Sequence, residues 1–363
     1  MARIVLDQIA HAYGLHPSRP EDYALKRLNH VWDDGGAYAL LGPSGCGKTT
    51  LLNVISGLIV PSEGRVFFGD RDVTELPTAD RNIAQVFQFP VIYDTMTVAQ
   101  NLGFPLKNRG IGKAEADRRV RDIGKMLELT PILDRKARNL TADLKQKVSL
   151  GRGLVRSDVN AILFDEPLTV IDPQLKWQLR AQIKTLHREL GLTMVYVTHD
   201  QTEALSFADR VVVMFEGEVV QIGTPEDLFA RPAHTFVGYF IGSPGMNVLP
   251  GEIAGNRARL SGGHEIVLPD SYPDLPRDRR IEVGIRPEFV RLSRDGKGLP
   301  VTVRRVDDIG RIKIARVEFD GRSLNVLAGE DAHLDGDHAG IEFDPQHLHI
   351  YADGHLIDRA AVR

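Results

Sequence analysis

Gly42, four further residues and then Gly47-Lys48-Thr49 bring backbone freedom, one cation and one hydroxyl together over positions 42–49. That spacing is the phosphate-binding loop pattern G-x-x-x-x-G-K-[ST]. The glycines let the backbone curl until successive N–H groups, those of Ser44, Gly45, Cys46 and Gly47 among them, form an anion nest. A helix-compatible run from Thr49 through Thr50 to Ile55 adds the positive end of its dipole. Lys48 adds a full charge, and the Thr49 hydroxyl is of the kind that holds Mg²⁺. The ligand that suits all of these is a nucleoside triphosphate.

A second set of groups stands at the ends of two later apolar runs. Ala161-Ile162-Leu163-Phe164 ends in Asp165-Glu166. A carboxylate there can orient a metal's water shell, and its neighbour can take a proton from an attacking water. Met194-Val195-Tyr196-Val197 leads into Thr198-His199-Asp200, where a histidine can hold a γ-phosphate and a water in line. Taken singly, each is an ordinary strand-end residue. Their order behind the phosphate loop makes them a candidate site.

Elements of an α/β domain must position these groups. Strands are expected at 4–6, 38–41, 65–68, 83–87, 161–164, 194–198 and 210–215. Between about 95 and 155 the chain turns helical, with Val120, Ile123, Met126 and Leu127 near one face of a 3.6-residue repeat. The division expected is a cassette over 1–232 with that helical subdomain inserted, a Pro- and Gly-marked linker over 233–250, and a small all-β domain over 251–363. Its clearest strand is 312–319.

Composition excludes several classes. The 363 residues carry a net charge of −4 and no long basic run, so no nucleic-acid footprint is expected. The single cysteine, Cys46, rules out an internal disulfide. The N-terminal apolar run is too short for a signal peptide. No window approaches the roughly 18 apolar residues of a membrane span, so any membrane connection is expected to run through partners.

The quoted segments resemble the ATPase subunit of an ATP-binding-cassette importer, in the branch of maltose-type sugar and polyol uptake. GPSGCGKTTLLNVISGL is similar to its phosphate loop, Val86-Phe87-Gln88 to its glutamine loop, ILFDEP to its acidic strand and VTHDQTEALSFADR to its histidine switch. FIGSPGMN and GIRPE resemble its paired, OB-like β-barrel regulatory domain. The resemblance implies ATP and Mg²⁺, with Lys48 on the β- and γ-phosphates and Thr49, Gln88 and Asp165 around the metal. It implies Glu166 as general base, His199 as the switch, and Tyr13 stacking on adenine unless that ring packs on its own sheet. It further implies a head-to-tail dimer, two transmembrane permease subunits met by 89–94, a substrate-binding protein met indirectly, and a peripheral place at the cytoplasmic face of the membrane. The solute expected is a small polyol or sugar, glycerol first, with glycerol 3-phosphate or an oligosaccharide as the alternative.

The chain departs from that family at one loop. Where Leu-Ser-Gly-Gly-Gln is usual it has Leu140-Thr141-Ala142-Asp143-Leu144, and Val170 stands where Asn is usual. Ala142 adds a Cβ, and Asp143 a negative charge, where the family's helix start meets the other subunit's γ-phosphate. A heterodimer with a second, ordinary cassette is therefore expected over a homodimer. Two readings of other classes remain. A small-molecule kinase leaves Glu166, His199 and the β-rich tail unexplained, and a regulatory ATP-binding module with little turnover leaves the intact Glu166 and His199 unexplained.

Overall fold

The computed structural model describes residues 3–14, 16–169, 171–272, 278–293, 297–310, 312–328 and 338–357. Leu15, in the loop after Tyr13, and Val170 lie outside the described residues. The chain folds as two compact units, Met1–Pro225 and Glu226–Arg363.

The first unit holds two sheets. Strands β1 (Ile4–His11), β2 (Leu25–Trp32), β4 (Glu63–Phe68) and β5 (Arg71–Asp72) form an antiparallel sheet in the order β2-β1-β4-β5. The other sheet runs β10-β9-β3-β8-β7-β6, built from β3 (Ala37–Leu41), β6 (Ala84–Val86), β7 (Ile162–Asp165), β8 (Met194–Thr198), β9 (Arg210–Phe215) and β10 (Glu218–Gly223). Its strands pair in parallel from β9 to β6, and only β10 is antiparallel to its neighbour. All five residues of β3 are buried, as a central strand covered on both faces requires. Leu40 and Leu41 each contribute about 1.5–3 kcal/mol by leaving water. Loops that leave parallel strands at their carboxyl ends gather along one edge, where ligands of open α/β sheets bind.

Helices of this unit start and stop on recognisable chemistry. Helix α1 (Lys48–Ser56) follows the phosphate loop directly and ends at Gly57, whose φ of 79° only glycine adopts freely. A Cβ on Gly57 would meet Arg81 Nε at 2.4 Å. Arg81, 1 % exposed, donates from Nη1 to the carbonyls of Val54 and Ile55 at 2.8 and 2.9 Å and from Nε and Nη2 to those of Leu76 and Thr74. The region 95–155 carries α2 (Val98–Asn108), α3 (Lys113–Met126) and α4 (Ala142–Leu154), with Val120, Ile123 and Leu127 buried. Asp172 caps α5 (Pro173–Leu190) through Gln174 N, and Asp200 caps α6 (Gln201–Phe207).

His30 on β2 is half-buried, its Nε2 buried without a hydrogen-bond partner and its ring edge-on to Trp32. Burial, with Arg210 nearby, lowers its pKa to about 4. The unfolded chain therefore binds more protons than the native one between pH 6.5 and 4. Stability is full above pH 6.5 and is lost as the pH falls through that window. The thermal midpoint is expected to drop between pH 6.5 and 4, and to drop less in His30→Phe.

The second unit opens with helices α7 (Pro225–Ala230) and α8 (Thr235–Phe240). This corrects the linker expected at 233–250: α8 lies within it, and β11 (Asn247–Ala254) begins before its end. The physical reason is that Val237 and Gly238 bury one face of α8, and Ile241, buried just past its end, closes the helix by donating its N–H to Val237 O. Strands β12 (Arg257–Leu260), β13 (Glu265–Val267), β14 (Ile281–Ile285), β15 (Val290–Ser293), β16 (Leu299–Asp308), β17 (Lys313–Phe319), β18 (Arg322–Ala328), β19 (His338–Phe343), β20 (His349–Ala352) and β21 (His355–Leu356) follow. They make two antiparallel sheets, β13-β12-β11-β14-β20-β21 and β15-β19-β16-β17-β18, over one apolar core. Asn247 bridges them, donating to Asn325 O at 2.8 Å and accepting from Asn325 N at 2.9 Å.

Candidate nucleotide site

Four neighbouring strands deliver the predicted residues to one edge. Leu41 pairs with Thr198, Asp165 with Val197, and Val86 with Phe164. Gly42, His199, Glu166 and Gln88 thus leave β3, β8, β7 and β6 side by side. The phosphate loop is shaped by contacts a side chain would break. A Cβ on Gly42 would meet Met214 O at 2.2 Å, and one on Gly47 would meet Ala24 O at 2.5 Å. Gly45 and Gly47 take φ of 81° and 98°. Ser44, Gly45 and Thr49 form the exposed rim, while Cys46 and Thr50 are buried beneath it. Cys46 is a free thiol whose pKa burial raises, so it behaves as a packing residue. Helix α1 has no side-chain cap at its start, which leaves its first N–H groups open to an anion.

Lys48 is buried and its Nζ donates to Gly42 O at 2.9 Å and Pro43 O at 2.8 Å. The ammonium is thus parked on the loop's own carbonyls. The Thr49 hydroxyl donates to Asp165 Oδ1 at 3.2 Å. Burial raises the Asp165 pKa, offset in part by that hydrogen bond. A hydroxyl beside a carboxylate offers hard oxygen ligands, the donor set Mg²⁺ takes when substrate phosphates supply the rest. Among the described residues no cluster of three or more His, Cys, Asp or Glu would hold a metal by protein alone. Gln88, half-buried, stands two residues beyond β6.

Glu166 adopts φ 45°, a backbone state that costs free energy for a side chain with a Cβ and that gathers at functional sites. Its N–H donates to Val197 O at 3.0 Å, fixing the turn. Its Oε2 lies 3.1 Å from His199 Nδ1 and 3.3 Å from Thr169 Oγ1. Tyr13, 67 % exposed, shares a hydrogen bond with Thr50 Oγ1 at 3.1 Å and sits edge-on to His11 at 4.8 Å. The ring is therefore beside the start of α1 with an open face.

The altered loop is self-contained. Thr141 caps α4, accepting from Leu144 N at 3.4 Å, and Asp143 lies in the first turn. Gln146, fully buried one turn on, donates to Pro167 O at 2.6 Å and Phe87 O at 3.4 Å, joining α4 to the loops after β7 and β6. Sequence reading missed it. Its only signal was a polar residue one helical turn before the apolar, buried Leu150. Segment 89–94 is gripped from α4 as well: Ser149 Oγ accepts from Val91 N, Arg152 donates to Val91 O and covers the Tyr93 ring at 4.8 Å, and Lys145 meets Asp94 at 3.3 Å. Phe89 at its start is 68 % exposed.

Comparison with known proteins bears on the whole chain. The family model described as ABC transporter matches residues 25–169, the MalK OB fold domain 242–290 and the TOBE domain 283–350. The chain is 39 % identical over 351 residues to an sn-glycerol-3-phosphate import ATP-binding protein of Jannaschia sp. (strain CCS1), covering 97 % of this chain and 98 % of that one. It belongs to the ATP-binding subunits of ABC importers. A protein of the same name from Chromobacterium violaceum is 42 % identical over 333 residues, covering 91 % and 86 % of the two chains. Among solved structures, a dimeric ATP-binding cassette in a post-hydrolysis state with ADP and Pi superposes with a TM-score of 0.54 at 28 % identity, over 61 % of this chain and 98 % of that one. An ABC-transporter cassette in its ADP conformation gives 0.54 at 26 % identity, over 64 % and 96 %. The importer subunit is an ATPase that uses ATP with Mg²⁺, and it works with transmembrane permease subunits. No described helix is long and apolar enough to cross a membrane.

Proposed function

We propose that this subunit powers uptake of a three-carbon polyol, free or phosphorylated, at the cytoplasmic face of the cell membrane, peripheral to two permease subunits that meet segment 89–94. We further propose that it pairs head to tail with a second, unlike cassette, with a substrate-binding protein delivering the solute from the other side. One observation carries the pairing. Helix α1 starts uncapped, open to a phosphate, whereas α4 starts on its own Thr141 cap with Asp143 in its first turn. A capped, acid-bearing helix start offers a foreign anion little.

Within its own site, Lys48 exchanges the Gly42 and Pro43 carbonyls for the β- and γ-phosphates, helped by the N–H groups of Ser44 to Thr50. Thr49, Asp165 and Gln88 would hold Mg²⁺, which when bound neutralises phosphate charge. Glu166 takes the proton from the attacking water, and His199, against its Oε2, fixes the carboxylate's direction. Tyr13 stacks on adenine, an arrangement worth roughly 1–3 kcal/mol. The relatives' names support glycerol 3-phosphate as the solute. Free glycerol is the second reading, favoured by the altered signature, which resembles the glycerol-importer branch where unlike ATPases pair.

The test is the assembled importer in vesicles. Lys48→Ala is expected to weaken ATP binding roughly 10- to 100-fold, one charged hydrogen-bonding partner being worth about 1.5–3 kcal/mol, and to stop uptake. Labelled glycerol 3-phosphate and labelled glycerol, offered separately, decide the solute. Co-purification of identical cassettes alone, with uptake intact, would sink the pairing.

A further inference from the structure

Beneath the His199 loop lies a carboxylate with no part in the chemistry so far. Glu203 on α6 is almost wholly buried, and its two oxygens face different elements. Oε2 accepts from Thr198 Oγ1 at 2.9 Å and from the Tyr196 hydroxyl at 3.2 Å, both on β8. Oε1 lies 3.6 Å from Nζ of Lys176, one turn into α5. Thr198 Oγ1 also accepts from Asp200 N at 3.0 Å, and the Asp200 carboxylate accepts from the N–H groups of Thr202 and Glu203. The residues on either side of His199 are thus both referred to one carboxylate. His199 itself is exposed, held by little except that frame and its contact with Glu166. A buried carboxylate is expensive unless every oxygen is partnered, so both sets of contacts are needed at once.

We propose that Glu203 is a positioning residue for His199, setting loop 198–200 through the Thr198 hydroxyl and tying that setting to the first turns of α5 through Lys176. The inference rests on the reading of His199 as part of the hydrolytic site. Helix α5 is capped by Asp172, which closes the loop that leaves Glu166. A shift of that cap reaches His199 through Lys176 and Glu203 without passing through the nucleotide.

The experiment uses the assembled importer and steady-state ATP hydrolysis. Glu203→Gln keeps an oxygen for the two hydroxyls but turns an NH₂ toward Lys176. Thr198→Val keeps shape and loses the hydroxyl, and Thr198→Ser restores it. Each of the first two is expected to lower kcat roughly 10- to 100-fold with KM for ATP unchanged and with a modest fall in thermal midpoint that leaves the protein folded at the assay temperature, and Thr198→Ser to recover most of the lost kcat. His199→Ala is run beside them. If it keeps full turnover, the reading of His199 fails and the proposal with it. If His199→Ala is inactive while Glu203→Gln and Thr198→Val keep kcat, the proposal alone is overturned. A loss of kcat that tracks a fall in thermal midpoint, without rescue by serine, also overturns it, since that is what mere structural support would give.

Discussion

Glu166→Gln is expected to leave ATP bound and to stop its hydrolysis. The amide keeps the shape of the side chain and its place beside His199 and Thr169, where the carboxylate Oε2 now sits at 3.1 and 3.3 Å. It cannot accept a proton from water. Losing a positioned general base costs roughly 10²–10⁴-fold in rate, and that is the fall expected in phosphate release. In the proposed site binding rests on Lys48, the open start of α1 and the loop N–H groups, none of which the change touches. Retained nucleotide after rapid desalting, together with phosphate release from the assembled importer, gives the two numbers needed. Normal hydrolysis by this variant would remove Glu166 from its assigned role.

If the proposed pairing holds, replacing Ala142 and Asp143 with glycine is expected to raise turnover at the partner cassette's nucleotide and to leave this subunit's own site nearly unchanged. At about 5 Å and an effective dielectric of about 20, Asp143 repels each unit of phosphate charge by roughly 3 kcal/mol. Its charge also cancels the attraction of the α4 dipole for an anion. Removing both side chains reopens the helix start, although the Thr141 cap stays. Measured in a Glu166→Gln background, which silences this subunit's own site, the double glycine variant is expected to gain roughly 10- to 100-fold. The natural sequence purified alone is expected to hydrolyse ATP slowly. Vigorous turnover by a homodimer would defeat the pairing.

The edge of the parallel sheet was legible because few residue types can serve there. Gly42, Gly47 and Lys48 are where the structure has no room for a Cβ or no substitute for a charge. Strands β2 and β10 were not legible, and their ladders say why. The pairing of β1 with β2 shifts register between Leu6 and Ile9 and again before His11, so Leu25, Leu28 and Trp32 are buried without a period of two. The hairpin of β9 and β10 carries a similar shift at Val219 and Gln221. Gln146 and Glu203 were hidden for the opposite reason. A polar residue in a pattern reads as solvent-facing, and only the tertiary fold supplies the carbonyls and hydroxyls that let it be buried.

The Arg81 guanidinium has an electrical consequence for the other end of the helix it seals. Helix α1 points its positive pole at the loop around Gly45, and its last carbonyls would ordinarily carry the balancing negative pole. With an always-charged group donating to Val54 O and Ile55 O in the interior, that negative pole is cancelled where no water could screen it. The helix then acts on an approaching polyanion less as a dipole than as a single positive end. Arg81 thereby strengthens the field at a site it never touches.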